Sequence, residues 1–133
     1  MDMKPWLRAT AVGQERPATP GEALARLLNG NHRFMTDAAC VGDHCPVAPP
    51  KQAPYGVVLG CSDARVPMEL LFAVEPNQLF VVRVAGNVLG DECLGSIEYA
   101  LYNFQESVKL LIVLGHSGCG AVGAAVQTYL SPK

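Results

Sequence analysis

With 133 residues, half of them hydrophobic, the chain can bury roughly two thirds of its unfolded surface in one domain, and this leaves little room for a second. Its net charge of −2 comes from 12 acidic and 10 basic residues spread along the chain, which leaves no footprint for nucleic acid or anionic lipid and favours a small or neutral ligand. The opening Met1-Asp2-Met3-Lys4-Pro5-Trp6 lacks the apolar core of a signal peptide, and no run approaches the roughly 18 apolar residues that cross a bilayer, so a soluble, cytoplasmic protein with no membrane partner is expected.

Residues 1–18 carry Pro5, Gly13 and Pro17 without periodicity and read as an N-terminal arm that orders only against a partner; one α/β domain is expected over 19–133. Thr19-Pro20-Gly21-Glu22 predicts a helix start, with threonine as cap, proline at the first helical position and glutamate at the capping-box position. Leu24, Leu27, Leu28 and Phe34 form its apolar stripe, and Gly30 interrupts it at a cost of only about 1 kcal/mol. Residues 36–54, with Pro46, Pro49, Pro50 and Pro54, read as a surface loop. Cys40, His44 and Cys45 within it match no common zinc spacing, and Asp43-His44 is an ordinary turn dipeptide.

Val57-Val58-Leu59-Gly60-Cys61 is an apolar strand that ends abruptly in Ser62-Asp63-Ala64-Arg65. Pro67 to Phe72 predicts a short helix and Glu75-Pro76-Asn77 a turn. A second strand follows over 79–84, broken by Ala85-Gly86-Asn87; residues 91–105 place Leu94, Ile97, Glu98, Leu101 and Tyr102 at helical spacing. A third strand over 109–114 ends in Gly115-His116-Ser117-Gly118-Cys119-Gly120, and a last helix runs from near Gly118 to about Leu130. This alternation predicts a parallel β-sheet core with flanking helices, right-handed crossovers and an exposed sheet edge.

Both strand ends carry metal-ligand residue types, and open parallel sheets place their sites beyond the carboxyl ends of strands. Five cysteines is an odd number, so a disulfide framework fits worse than a reducing compartment with Cys61, His116 and Cys119 converging on Zn2+. Cys93 has no assignment. Alone, a strand-end cysteine reads as a small buried hydrophobe and Asp-x-Arg as a surface ion pair; two such strand ends in one small domain read as a metal site. Three ligands leave a fourth position for water, the mark of a catalytic zinc. Asp63 either fills that position or is held away by the planar fork of Arg65. In the second state it orients a zinc-bound hydroxide, and because two thiolates cancel the dication's charge, activity is expected to favour alkaline pH.

Cys61-Ser62-Asp63-Ala64-Arg65-Val66-Pro67, followed by Gly115-His116-Ser117-Gly118-Cys119-Gly120, resembles the β-class carbonic anhydrases over roughly residues 19–128. Gly86-Asn87, Gly95-Ser96-Ile97-Glu98-Tyr99-Ala100 and Gly30-Asn31-x-Arg33-Phe34 support the resemblance. It implies reversible hydration of carbon dioxide to bicarbonate, zinc on Cys61, His116 and Cys119, Asp63 and Arg65 as the catalytic dyad, and a homodimer or higher assembly. It also implies a substrate pocket with Gln52, nine residues before Cys61, and with Phe80, Ala85, Tyr99 and Gly120, some of them supplied by the neighbouring subunit. Val84 stands where many relatives have asparagine, and Ala85 where valine is common. The family continues beyond the segment matching 115–128, so the chain is expected to be short at its C-terminal end.

Two other functions fit the same residues: hydrolysis of carbon disulfide or carbonyl sulfide on this scaffold, and a truncated, non-catalytic zinc-binding or assembly module. A zinc nucleobase deaminase is excluded, since it needs His-x-Glu before Pro-Cys-x-x-Cys and neither is present.

Overall fold

A computed structural model of the chain describes residues 17–36 and 51–131. The arm expected over 1–18, apart from its last two residues, lies outside the described residues, as do Cys40, His44 and Cys45 and the side chain of Phe34. The chain divides into two units, Met1–Cys45 and Pro46–Lys133, each described here by itself.

In the first unit, helix α1 (Pro20–Thr36) begins where the capping residues predict. Thr19 Oγ1 accepts the N–H of Glu22 at 3.2 Å, and the Glu22 carboxylate reaches back to the N–H of Ala18 at 2.7 Å, one residue before the cap. Leu24, Leu27 and Leu28 share one face of the helix, as expected, and all three are exposed.

The second unit runs β1 (Gly56–Cys61), α2 (Met68–Leu71), β2 (Leu79–Val84), α3 (Asp91–Asn103), β3 (Leu110–Leu114) and α4 (Gly120–Leu130), with a 3-10 turn at Ala85–Asn87 after β2. The strands are parallel in the order β2-β1-β3, the expected α/β architecture. β1 is central and buried along all six residues, which is why it reads as an unbroken apolar run rather than an alternating one. The last helix begins at Gly120, two residues beyond the predicted start. Gly118 at φ +65° and Cys119 in an extended conformation hold the chain out of the helix until then.

On one face of the sheet, Val57, Leu59 and Val82 pack against Ile97 and Ala100 of α3, with Phe80, Val84, Cys93, Phe104 and Val108 around them. The inward face of α3 is therefore Cys93, Ile97 and Ala100, continued by Phe104. Of the stripe expected from spacing only Ile97 belongs to it, while Leu94, Leu101 and Tyr102 are exposed. Helical periodicity fits either stripe; the sheet decides which is covered. Beside β1, Met68 is buried over Gly60, where an added Cβ would meet its terminal methyl. β3 stands at one sheet edge with Leu110, Leu111 and Val113 exposed, so the expected open edge is present among the described residues. No described helix is long and apolar enough to cross a membrane.

Candidate metal centre

Because β1 and β3 are adjacent and parallel, paired from Gly56 with Leu110 to Gly60 with Leu114, their carboxyl ends open side by side. Cys61 is the last residue of β1, His116 follows β3 by two residues, and Cys119 is the N-cap of α4. The Gly118 turn brings the last of these back over the strand ends, and the ligand atoms of all three lie within 4.8 Å of one another.

The geometry fits zinc. Two zinc–sulfur bonds of about 2.3 Å at a tetrahedral angle span about 3.8 Å. The Cys61 and Cys119 sulfurs are 3.8 Å apart. His116 Nδ1 lies 3.0 Å from the Ser117 carbonyl oxygen, which only accepts, so the proton sits on Nδ1 and the lone pair on Nε2. Nε2 is buried without a hydrogen-bond partner, the condition of a nitrogen waiting for a metal rather than of a satisfied core histidine.

Electrostatics favour the ligating thiolate of Cys61. Cys61 Sγ accepts the backbone N–H groups of Asp63 at 3.4 Å and Gly86 at 3.3 Å. These amides and His116 pull its thiol from 9.0 down to about 6, the Asp63 amide most strongly and His116 next, against an upward push from burial. In the metal-free chain the Cys61 sulfur in turn raises the His116 pKa, with burial opposing. Gly86 sits at φ +69°, the left-handed region, and that conformation aims its N–H at the sulfur.

Asp63 is engaged by Arg65, the second of the two states read from the sequence. Asp63 Oδ1 accepts the Arg65 backbone N–H and Nε–H, each at 2.9 Å, and Oδ2 accepts from Nη2 at 2.6 Å. That pairing holds the carboxyl far below the usual carboxylate range. The same Nη2 also donates to the Gly118 carbonyl at 3.2 Å, which ties the pair to the turn carrying Cys119. Asp63 Oδ2 lies 3.9 Å from His116 Nε2, beside the ligand cluster.

The residues expected in a substrate pocket are distributed differently. Ala85 opens the turn after β2 and Gly120 follows Cys119, both next to site-forming segments and both exposed. Gln52 is exposed on the lead-in to β1. Phe80 and Tyr99 pack together, centroids 6.1 Å apart, in an aromatic group completed by Phe104. Phe80 is in register with Val57, four residues before Cys61, so about 13 Å of strand separates it from the cluster within one chain.

Arg83 is a further neighbour of the cluster, for which the sequence analysis holds no expectation. Its Nε donates to the Cys61 carbonyl at 2.9 Å and its Nη2 to the Asp63 carbonyl at 2.6 Å. The signal was available: Arg83 is the single charge in the otherwise apolar strand Leu79–Val84.

The chain is similar to proteins of one known family. The family model described as "Carbonic anhydrase" matches residues 56–133. The chain is 49% identical over 121 residues to a carbonic anhydrase of Mycolicibacterium smegmatis, covering 83% of this chain and 54% of that protein. It is 40% identical over 111 residues to carbonic anhydrase 2 of Mycobacterium tuberculosis, covering 80% and 53%. Among solved structures, a tetrameric β-carbonic anhydrase of Sordaria macrospora superposes with a TM-score of 0.67 at 29% identity, over 78% of this chain and 54% of that one. A Coccomyxa β-carbonic anhydrase bound to acetazolamide gives 0.65 at 30%, over 77% and 47%. The chain spans about half the length of the curated relatives it matches.

Proposed function

Since the chain belongs to the β-class carbonic anhydrase family, we propose that it acts as a zinc-dependent lyase, hydrating carbon dioxide reversibly to bicarbonate and a proton. The observation that carries this reading is the convergence of Cys61, His116 and Cys119, with sulfurs 3.8 Å apart, beside a carboxylate already held by an arginine.

In this reading Cys61 and Cys119 ligate through sulfur and His116 through Nε2. Zinc bound there supplies Lewis acidity that lowers the pKa of a water from 15.7 towards about 7. Asp63 orients that water: kept ionised by Arg65, it only accepts hydrogen bonds, so a water donating to it presents its oxygen lone pair elsewhere. Arg65 keeps the carboxylate from turning onto the metal, and its bond to the Gly118 carbonyl fixes the pair against the second ligand-bearing turn. Two thiolates neutralise most of the metal's charge, so turnover rises towards alkaline pH.

Carbon dioxide offers little to hydrogen-bond, so an apolar wall of Phe80, Ala85, Tyr99 and Gly120 with the Gln52 amide suits it. The separation of Phe80 from its own chain's cluster supports supply of part of this wall by a neighbouring copy, in a homodimer or higher assembly. Free Cys61, Cys93 and Cys119 suit the reducing cytoplasm.

Stopped-flow hydration of carbon dioxide with a pH indicator, from about pH 6.5 to about pH 9 on protein of known zinc content and solution mass, tests the proposal. One zinc per chain with turnover rising with pH is expected. One zinc per chain with no turnover at any pH refutes the enzyme and leaves the non-catalytic zinc module.

A further inference from the structure

The turn Cys61–Arg65 carries one expected metal ligand and the expected catalytic pair, and it is shaped in part by bonds of its own. Arg65 holds Asp63 from two residues away, and the Val66 N–H closes on the Asp63 carbonyl at 3.1 Å. Bonds within a turn give it shape but do not fix where it stands relative to His116 and Cys119. That placement depends on bonds to other elements. The Ser62 N–H donates to the Val84 carbonyl at 3.1 Å, the Gly86 N–H to the Cys61 sulfur at 3.3 Å, Arg65 reaches Gly118, and Arg83 donates twice, to the carbonyls of Cys61 and Asp63.

Arg83 is suited to this task in a way no neighbour on β2 is. It stands opposite Gly60, one residue before Cys61, so the start of the turn lies within reach of the guanidinium. Its fork delivers two N–H groups, in a fixed planar relation, to two carbonyls on either side of Ser62. Both acceptors are backbone atoms of functional residues, so the contact leaves the Cys61 sulfur and the Asp63 carboxylate free for their own partners.

Resting on the metal-centre reading above, we propose that Arg83 is a positioning residue: its fork fixes the Cys61–Asp63 turn against β2 so that the sulfur faces His116 and Cys119. Removing the fork loosens the turn without removing any ligand. Groups that orient metal ligands from outside are worth about 10-fold to 100-fold in metal affinity.

The test compares Arg83→Met and Arg83→Lys with the unaltered chain and with Val108→Ala, a core truncation away from the turn that serves as a stability control. The first readout needs no metal: hydrogen exchange of residues 62–66 in chelator-treated protein. Arg83→Met is expected to speed exchange there about 10-fold or more beyond the control, with residues 57–60 of β1 still protected. Arg83→Lys, a single point donor for two carbonyls, falls between. The second readout is chelator competition for zinc, with loss of about 10-fold or more in Arg83→Met, and a shifted absorption spectrum of the cobalt(II)-loaded protein.

Exchange at 62–66 and metal affinity that follow the control overturn the proposal, and if Arg83→Met does not fold, an Arg83→Lys protein indistinguishable from the unaltered chain overturns it equally. An unaltered chain that binds no zinc sinks the metal-centre reading instead, while the exchange experiment still decides whether Arg83 holds the turn.

Discussion

Chelator-treated protein should carry an unusually acidic thiol at Cys61. Cys61 receives two backbone N–H groups and faces His116, and together these bring its pKa from 9.0 to about 6. At pH 7 a group with that pKa is about 90% thiolate, whereas an ordinary thiol at 9.0 is about 1%. The assay is thiolate absorbance near 240 nm in chelated protein, titrated from acid to alkaline pH, with Cys61→Ser as the reference. A step centred near 6 should appear in the unaltered chain and vanish in Cys61→Ser. His116→Asn should move the step upward only part of the way, because the Asp63 amide, the larger cause, remains. Cys61 and His116 share this titration, so the step belongs to the pair. The linkage has a definite sign: an acid whose folded pKa is depressed stabilises the fold fully above its unfolded value, here 9.0, and that contribution is lost as the pH falls through about 6. Metal-free protein should therefore lose stability on acidification through that window. The absence of any Cys61-dependent step below about pH 8 would refute the account of the site's electrostatics.

Cys119→Ala removes one of the three proposed ligands and should leave the protein without bound zinc after dialysis, while Asp63→Ala should keep about one zinc per chain and lose activity by about 100-fold or more; a metal-free but folded Asp63→Ala protein would contradict that division of roles. Gly60→Ala would place a methyl 2.1 Å from the buried Met68 Cε and should cost about 1–3 kcal/mol in urea denaturation. In a Met68→Ala background the same substitution should cost less than about 1 kcal/mol, and an equal cost in both backgrounds would show that this contact is not the cause.

The parts of this molecule written locally were legible in the sequence. Thr19-Pro20-Gly21-Glu22 starts α1 because a cap is made by neighbours in the chain. Strand β1 could be read because burial on both faces leaves an unbroken apolar run, and β3 because all five of its residues are apolar even at the sheet edge; the candidate metal ligands were legible because they lie at, or within five residues after, the ends of these two runs. Tertiary structure decided what local patterns leave degenerate. The stripes through Leu94 and through Cys93 on α3 have the same period, and only the sheet beneath selects Cys93, Ile97 and Ala100. Asp63 had two partners compatible with its position, and its pairing with Arg65 is completed by the Gly118 carbonyl, 53 residues away from Arg65. Arg83 looked like an interruption in an apolar strand; its meaning depends on β2 lying beside β1 in a register that sets it opposite Gly60. Spacing along the chain identifies ligand types and strand ends, but the direction in which a long side chain reaches is set by strand order and register, which are properties of the packed sheet.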